Sequence, residues 1–280
     1  EPSKIEPLLK ARLENYRLTA SDLTTFIDLT YAGPQALYQR KVLRAPDEPA
    51  SRALCYGTLI HSVFEQVTSQ SIDDTAALEL FKNTVPRTAL EPEEQQTLLE
   101  QGAHDLSIAL AEFSDILRHP NARAEANLSP EKLNFEGVPL TGKIDHINLD
   151  ETAKTIEVYD FKTGTFHDGK WDSRPSLYKY RLQLGFYKLL LNLSPTYSKY
   201  KVTRGHILFV TPDADEKVHD KVYEYNDADE AELKSLIKAV YAQVKSLDFV
   251  KNPDLFLPAD KDNTMKDIRA FVELLIPDPE

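Results

Sequence analysis

The sequence predicts an α/β fold, a central mixed β-sheet flanked by helices, with a helical lobe on the N-terminal side. Three observations carry this. Residues 139–149 and 155–162 alternate at a strand's period of two, whereas 54–69, 176–192 and 228–247 repeat their apolar residues at a helix's spacing. Strand and helix patterns also interleave in the second half of the chain, as a sheet with crossover helices requires. Finally, 280 residues that are 41% hydrophobic and 28% charged can bury a sizeable core.

Taken in order, Thr19, Ala20, Ser21 and Asp22 form a capping pattern before Leu23, Phe26 and Ile27, predicting a short helix over 19–29. Residues 35–43 form another. Leu54, Leu59, Ile60, Val63, Phe64 and Val67 mark a helix over 54–69, followed by polar helices over 73–84 and 92–118 that end at His119 and Pro120. Together 54–120 make the helical lobe. Strands are expected at 123–128, 139–149 and 155–162, with Leu149 to Thr152 as the turn joining the last two as a hairpin. A helix over 176–192 stops at Ser194 and Pro195. Strands over 202–211 and 217–225 follow, and Asn226 or Asp227 caps a helix over 228–247 with Leu233, Ile237, Val240, Tyr241 and Val244 inward. Residues 121–250 are thus the core. Beyond Asn252 and Pro253 the chain is expected to loosen, and 264–275 to return as a final helix within the tail 251–280.

The chemistry concentrates in the hairpin. Asp160 and Lys162 project to one face of their strand, and Phe161 to the other. The hairpin would bring Asp145 beside Asp160. An aspartate near a strand end is most often solvated, which is the plain reading of Asp145 alone, but Asp160 lies among Ile156, Val158, Tyr159 and Phe161. A carboxylate buried there is costly unless paired or bound to metal. A divalent cation would relieve the repulsion of the two carboxylates, and Lys162 could orient an attacking water. His61 and Glu65, four apart, share a side of their helix, as do Gln183 and Tyr187. A lone histidine there would more often be a satisfied core or surface residue, Glu65 could hold Lys162 or His61 in place or simply face water, and Gln183 with Tyr187 could be the polar edge of a packed helix. Glu125 belongs to the candidate strand 123–128, as a residue behind the site.

The residues Gly142 to Asp145 followed by Asp160 to Gly164 resemble the PD-(D/E)XK nuclease superfamily, and within it the RecB-like branch. Gly57 to Glu65 resembles that branch's helix with a histidine and a glutamate, Glu136 to Gly142 its approach to the first acidic strand, and Gln183 to Tyr187 its Q-x-x-x-Y helix. The four motifs stand in the family's order, and the resemblance covers roughly residues 17 to 250. It implies a restriction-endonuclease-like core and a DNA nuclease using Mg2+ or Mn2+. Asp145, Asp160 and Lys162 would be catalytic, and His61, Asp145, Asp160 and the Phe161 carbonyl would hold metal. Glu65, Gln183 and Tyr187 would support the site or contact DNA. It further implies exonuclease action on single-stranded DNA, a helicase domain in the same polypeptide or complex, and a role in DNA repair or recombination. The alternative is a nuclease fold that no longer cuts and instead guides DNA or scaffolds a helicase. The residues 1–280 are expected to be one nuclease domain excised from a longer chain, since the sequence starts at Glu1 and its single methionine is Met265. The branch's iron-sulfur cysteines are absent. Gly33 precedes Pro34 where one would stand, the tail has none, and Cys55 is the only cysteine.

Other classes are disfavoured. Gly164 to Lys170 matches a phosphate-binding loop, but Trp171 replaces the magnesium-binding hydroxyl, Asp168 opposes phosphate, and Pro175 delays the helix, so no nucleotide is expected. No apolar run reaches membrane length, and one cysteine suits a reducing, cytoplasmic setting. The net charge of −12, from 33 basic and 45 acidic residues, argues against a broad electrostatic grip on DNA. Binding would instead be local, around Lys143, Lys162, Lys170, Arg174, Lys179, Arg181 and Lys188, with weak affinity for the isolated domain.

Overall fold

The computed structural model describes residues 2–31, 33–45, 51–248 and 265–276. The expected loosening around Asn252 and Pro253 lies outside them.

The chain opens with helices α1 (Pro2–Arg12), α2 (Ala20–Ile27) and α3 (Gly33–Leu37), the last running into a π-helical turn Tyr38–Leu43. Thr19 caps α2 as predicted, its side chain accepting from the Asp22 backbone N–H. The lobe follows as α4 (Arg52–Gln70), α5 (Asp74–Thr84), α6 (Pro92–Glu112) and α7 (Ser114–Leu117). Ser51, Asp73 and a capping box of Glu91 with Glu94 start α4, α5 and α6. The single helix expected over 92–118 breaks at Phe113, whose backbone leaves the helical region while its ring is buried.

The sheet is built from β1 (Ala122–Asn127), then, past the short pair β2 (Asn134–Phe135) and β3 (Val138–Pro139), from β4 (Lys143–Asp150) and β5 (Thr155–Lys162). The strand expected over 139–149 is therefore two elements. Gly142 separates them where the chain passes α8 (Pro175–Leu193), and a Cβ at Gly142 would lie 2.6 Å from Leu190. The order is β1-β4-β5, then β6 (Lys201–Phe209) and β7 (His219–Glu224). Only β5 and β6, joined through α8, are parallel; the other pairs are antiparallel. This is the mixed sheet flanked by helices that the patterns predicted. The β4–β5 turn is closed by Asp150, whose Oδ1 accepts from the Thr152 and Ala153 N–H groups, both at 2.8 Å. Helices α9 (Asp227–Ser246, capped by Asn226) and α10 (Met265–Leu275) complete the fold.

Two hydrophobic cores result. One joins α2, α8, α9 and α10 with Ile156, Val158 and Ile207. The other joins α4, α5 and α6 with Tyr159, Phe161, Leu208 and Val210. Alternating residues of β5 and β6 thus serve opposite faces, as a period of two dictates. No helix among the described residues is long and apolar enough to cross a membrane.

Candidate active site

Asp145, on β4, and Asp160, on β5, come together through the hairpin, where His146 pairs with Tyr159. The Asp145 Oδ2 accepts from the Phe161 N–H at 3.1 Å. His61, from the middle of α4, brings Nδ1 to 3.5 Å from Asp145 Oδ2 and 3.8 Å from Glu125 Oε1. The donor atoms of His61, Glu125 and Asp145 all lie within 4.8 Å of one another. The geometry thus puts Glu125 inside the donor group, where the sequence placed it behind. Its backbone explains the reach, because Glu125 has φ 52 in the middle of β1, a left-handed conformation in a strand. Non-glycine residues held so are strained and concentrate at functional sites.

Asp160 is placed differently from the expected metal ligand. It is 1% exposed, and its Oδ1 accepts from Gln183 Nε2 at 2.8 Å and from the Tyr187 hydroxyl at 3.3 Å. Its Oδ2 lies 2.5 Å from Lys162 Nζ, which also donates to Gln183 Oε1 at 3.3 Å. Asp160 therefore stands outside the three-donor group and anchors Lys162. The Phe161 carbonyl, another expected ligand, faces His61 Nε2 at 3.3 Å. With Nδ1 turned to the carboxylates, that carbonyl accepts from the remaining ring N–H and fixes the imidazole plane.

Glu65 lines the same cleft and acts on Lys143, whose amine pairs with Glu125. The cleft is open, about 610 Å³, with Gly57, His61, Glu65, Glu125, Lys143, Lys162 and Thr163 among its lining. His146, beside Asp145, points to the other face. There it is buried against Ile116 O, Asn148 and Thr68, and burial pushes its imidazole down to about 4. It is a neutral anchor between sheet and lobe.

Electrostatics favour a cation. Burial and the neighbouring Asp160 push the Asp145 carboxyl up to about 7, although His61 and Lys162 pull it down. Burial lowers the His61 imidazole, but Glu125, Asp145 and Asp160 together outweigh it and raise it. Burial likewise opposes charge on Glu125, yet His61 and Lys143 hold that carboxyl below its ordinary range. Two carboxylates and an imidazole converging in a half-buried cleft, with one carboxyl left short of positive charge, fit a divalent metal.

A family model for the PD-(D/E)XK nuclease superfamily matches residues 18–260. The chain belongs to the PD-(D/E)XK nuclease superfamily. Among solved structures, it is similar to a Eubacterium rectale protein described as a "Putative exonuclease", at 13% identity and a TM-score of 0.53. That match covers 82% of this chain and 81% of the other, and shows a shared fold. A search of curated proteins returned no match. In this chain Asp160 and Lys162 stand two apart on β5, with Asp145 on the neighbouring β4. The sequence motifs do not reveal Glu125 as a donor or Lys143 as its partner. Lys143 stands in the same Gly142–Asp145 stretch, but only the strand ladder shows which carboxylate it meets.

Proposed function

We propose that this chain hydrolyses phosphodiester bonds in DNA with Mg2+ or Mn2+, acting as an exonuclease on single strands. The observation that carries the reading is the three-donor group of His61, Glu125 and Asp145 beside Lys162 in one open cleft. A bound divalent cation would neutralise phosphate charge and acidify a water there. Asp145, Glu125 and His61 would hold it, with the Phe161 carbonyl orienting His61. Asp160 and Gln183 hold the Lys162 ammonium at the cleft wall. From there Lys162 aligns the attacking water and stabilises the charge developing on phosphate, since such chemistry depends on positioning and preorganised charge. Tyr187 keeps Asp160 and Gln183 in register.

Single-stranded ends suit this cleft, in which Lys143 and Lys162 are the only lysine or arginine residues among the described lining, in a chain of net charge −12. A helicase partner, as the RecB-like resemblance implies, would deliver the strand in DNA repair or recombination. The test is incubation of labelled single-stranded DNA with Mn2+, comparing wild type with Lys162→Ala. Cleavage by wild type and a loss of at least about 100-fold in the variant, the order seen when one charge-stabilising donor is removed, support the reading. If both are equally inert while Mn2+ still binds, the chain is a guiding module instead.

A further inference from the structure

Lys162 Nζ has a third neighbour. Besides Asp160 Oδ2 at 2.5 Å and Gln183 Oε1 at 3.3 Å, the ring of Tyr180 lies with its centroid 5.2 Å away. Tyr180 precedes Gln183 by three residues on α8, so both reach the same side of that helix. Arg181, next in sequence, turns elsewhere and pairs with Asp172, Asp229 and Glu232. The tyrosine ring has aromatic neighbours of its own. Phe209 of β6 meets it at 6.2 Å and 68°, Phe166 meets Phe209 at 5.3 Å and 75°, and His219 stacks on Phe166 at 4.0 Å and 12°.

We propose that Tyr180 is a positioning residue for Lys162, its ring face holding the ammonium in place without neutralising it. An ammonium offers three N–H donors; Gln183 accepts one of them, and Asp160 lies within ion-pair distance. A further carboxylate would also immobilise the amine, but it would cancel the charge a phosphate needs. The negative face of an aromatic ring attracts the cation with no formal charge of its own. The four-carbon stem of a lysine is otherwise free to rotate, so a ring there removes rotamers in which Nζ leaves the cleft. The phenol oxygen has no part in this.

The kinetic consequence rests on the nuclease reading; the placement of the ring does not. The experiment places phenylalanine, difluorophenylalanine, pentafluorophenylalanine and leucine at position 180 in the whole chain. Fluorination keeps the ring's shape while weakening its negative face, so folding is preserved even if Tyr180→Leu fails. Two readouts are taken: turnover of labelled single-stranded DNA with Mn2+, and the NMR shift of the Lys162 ε-methylene in 13C-lysine protein. Tyr180→Phe should turn over like wild type, and kcat should fall stepwise with fluorination, to about tenfold for the weakest ring, with KM unchanged. The ε-methylene should show a ring-current shift in wild type and Tyr180→Phe that Tyr180→Leu abolishes. A flat kcat series, or loss appearing in KM alone, overturns the proposal. Should no variant cut DNA, the nuclease reading fails, and the ε-methylene shift decides alone: a wild-type Lys162 shift no different from that of an exposed lysine overturns the placement.

Discussion

Glu125 stands across the β1–β4 ladder from Asp145, since its neighbours Ala124 and Ala126 pair with His146 and Ile144 on either side of that aspartate. The two carboxylates converge on the same ring nitrogen of His61. The left-handed backbone at Glu125 is retained in a strand that would otherwise be regular.

Replacing Glu125 separates stability from binding. Glu125→Gly should exceed Glu125→Ala in metal-free stability by about 1 kcal/mol, because both lose the pairing with Lys143 and only glycine adopts positive φ without the Cβ clash. It should also weaken Mn2+ binding by an order of magnitude or more. Thermal denaturation and calorimetric titration measure the two effects, and a Glu125→Gly variant no more stable than Glu125→Ala would show that the strand does not strain there.

Asp145 imposes a pH dependence on the metal-free protein. Its carboxyl is raised from 3.8 to about 7, so the folded state binds a proton that the unfolded chain has released. Stability from this group is therefore lost as pH rises from about 4 to about 7. Asp145→Asn should melt several degrees above wild type at pH 8, given the few degrees expected per kcal/mol, while losing Mn2+ affinity. Melting curves at pH 6 and pH 8 check this, and equal melting temperatures at pH 8 would count against it.

Gln183 and Tyr187 contribute unequally. Gln183 contacts both Asp160 and Lys162, whereas Tyr187 contacts Asp160 and Gln183. Gln183→Leu, which loses a contact to Lys162 itself, should thus lower kcat by about 100-fold, and Tyr187→Phe, which loses two hydrogen bonds but none to Lys162, by about tenfold. Single-turnover rates on saturating DNA measure both.

Salt should matter little. With few cations in the cleft, log Kd for single-stranded DNA should rise against log salt with a slope of about 1 to 2, at roughly 0.7 per phosphate contacted. Fluorescence anisotropy across a salt series gives the slope. A steep slope would reveal a basic surface away from the cleft.

Much of this was legible locally. The period of two in β5 placed Asp160 and Lys162 together with Phe161 opposed, and the spacing of four joined Gln183 to Tyr187. Capping at Thr19 and Asn226 also follows from short-range chemistry. What escaped depends on contacts remote in sequence. Glu125 lies in Ala-Arg-Ala-Glu-Ala-Asn, with no apolar alternation to show which face it serves, and only ladder register sets it against Asp145. The direction of Tyr180 depends on how α8 is rotated against the sheet. Strands β2 and β3, two residues each, are too short to leave a periodic pattern. Helix α1 has only weak amphipathic character over Pro2–Arg12 and so gave no signal.

The sheet keeps two hydrophobic cores apart, and the site draws on both sides of that divide. His61 belongs to the lobe, Gln183 and Tyr187 to the opposite layer, and the acidic residues to the sheet between. A cation shared by His61 and the two acids would therefore act as a rivet, fastening one layer to the next. Its arrival would be felt in the lobe as slower amide exchange along α4, which carries His61, with little change along α9, which holds none of the three donors.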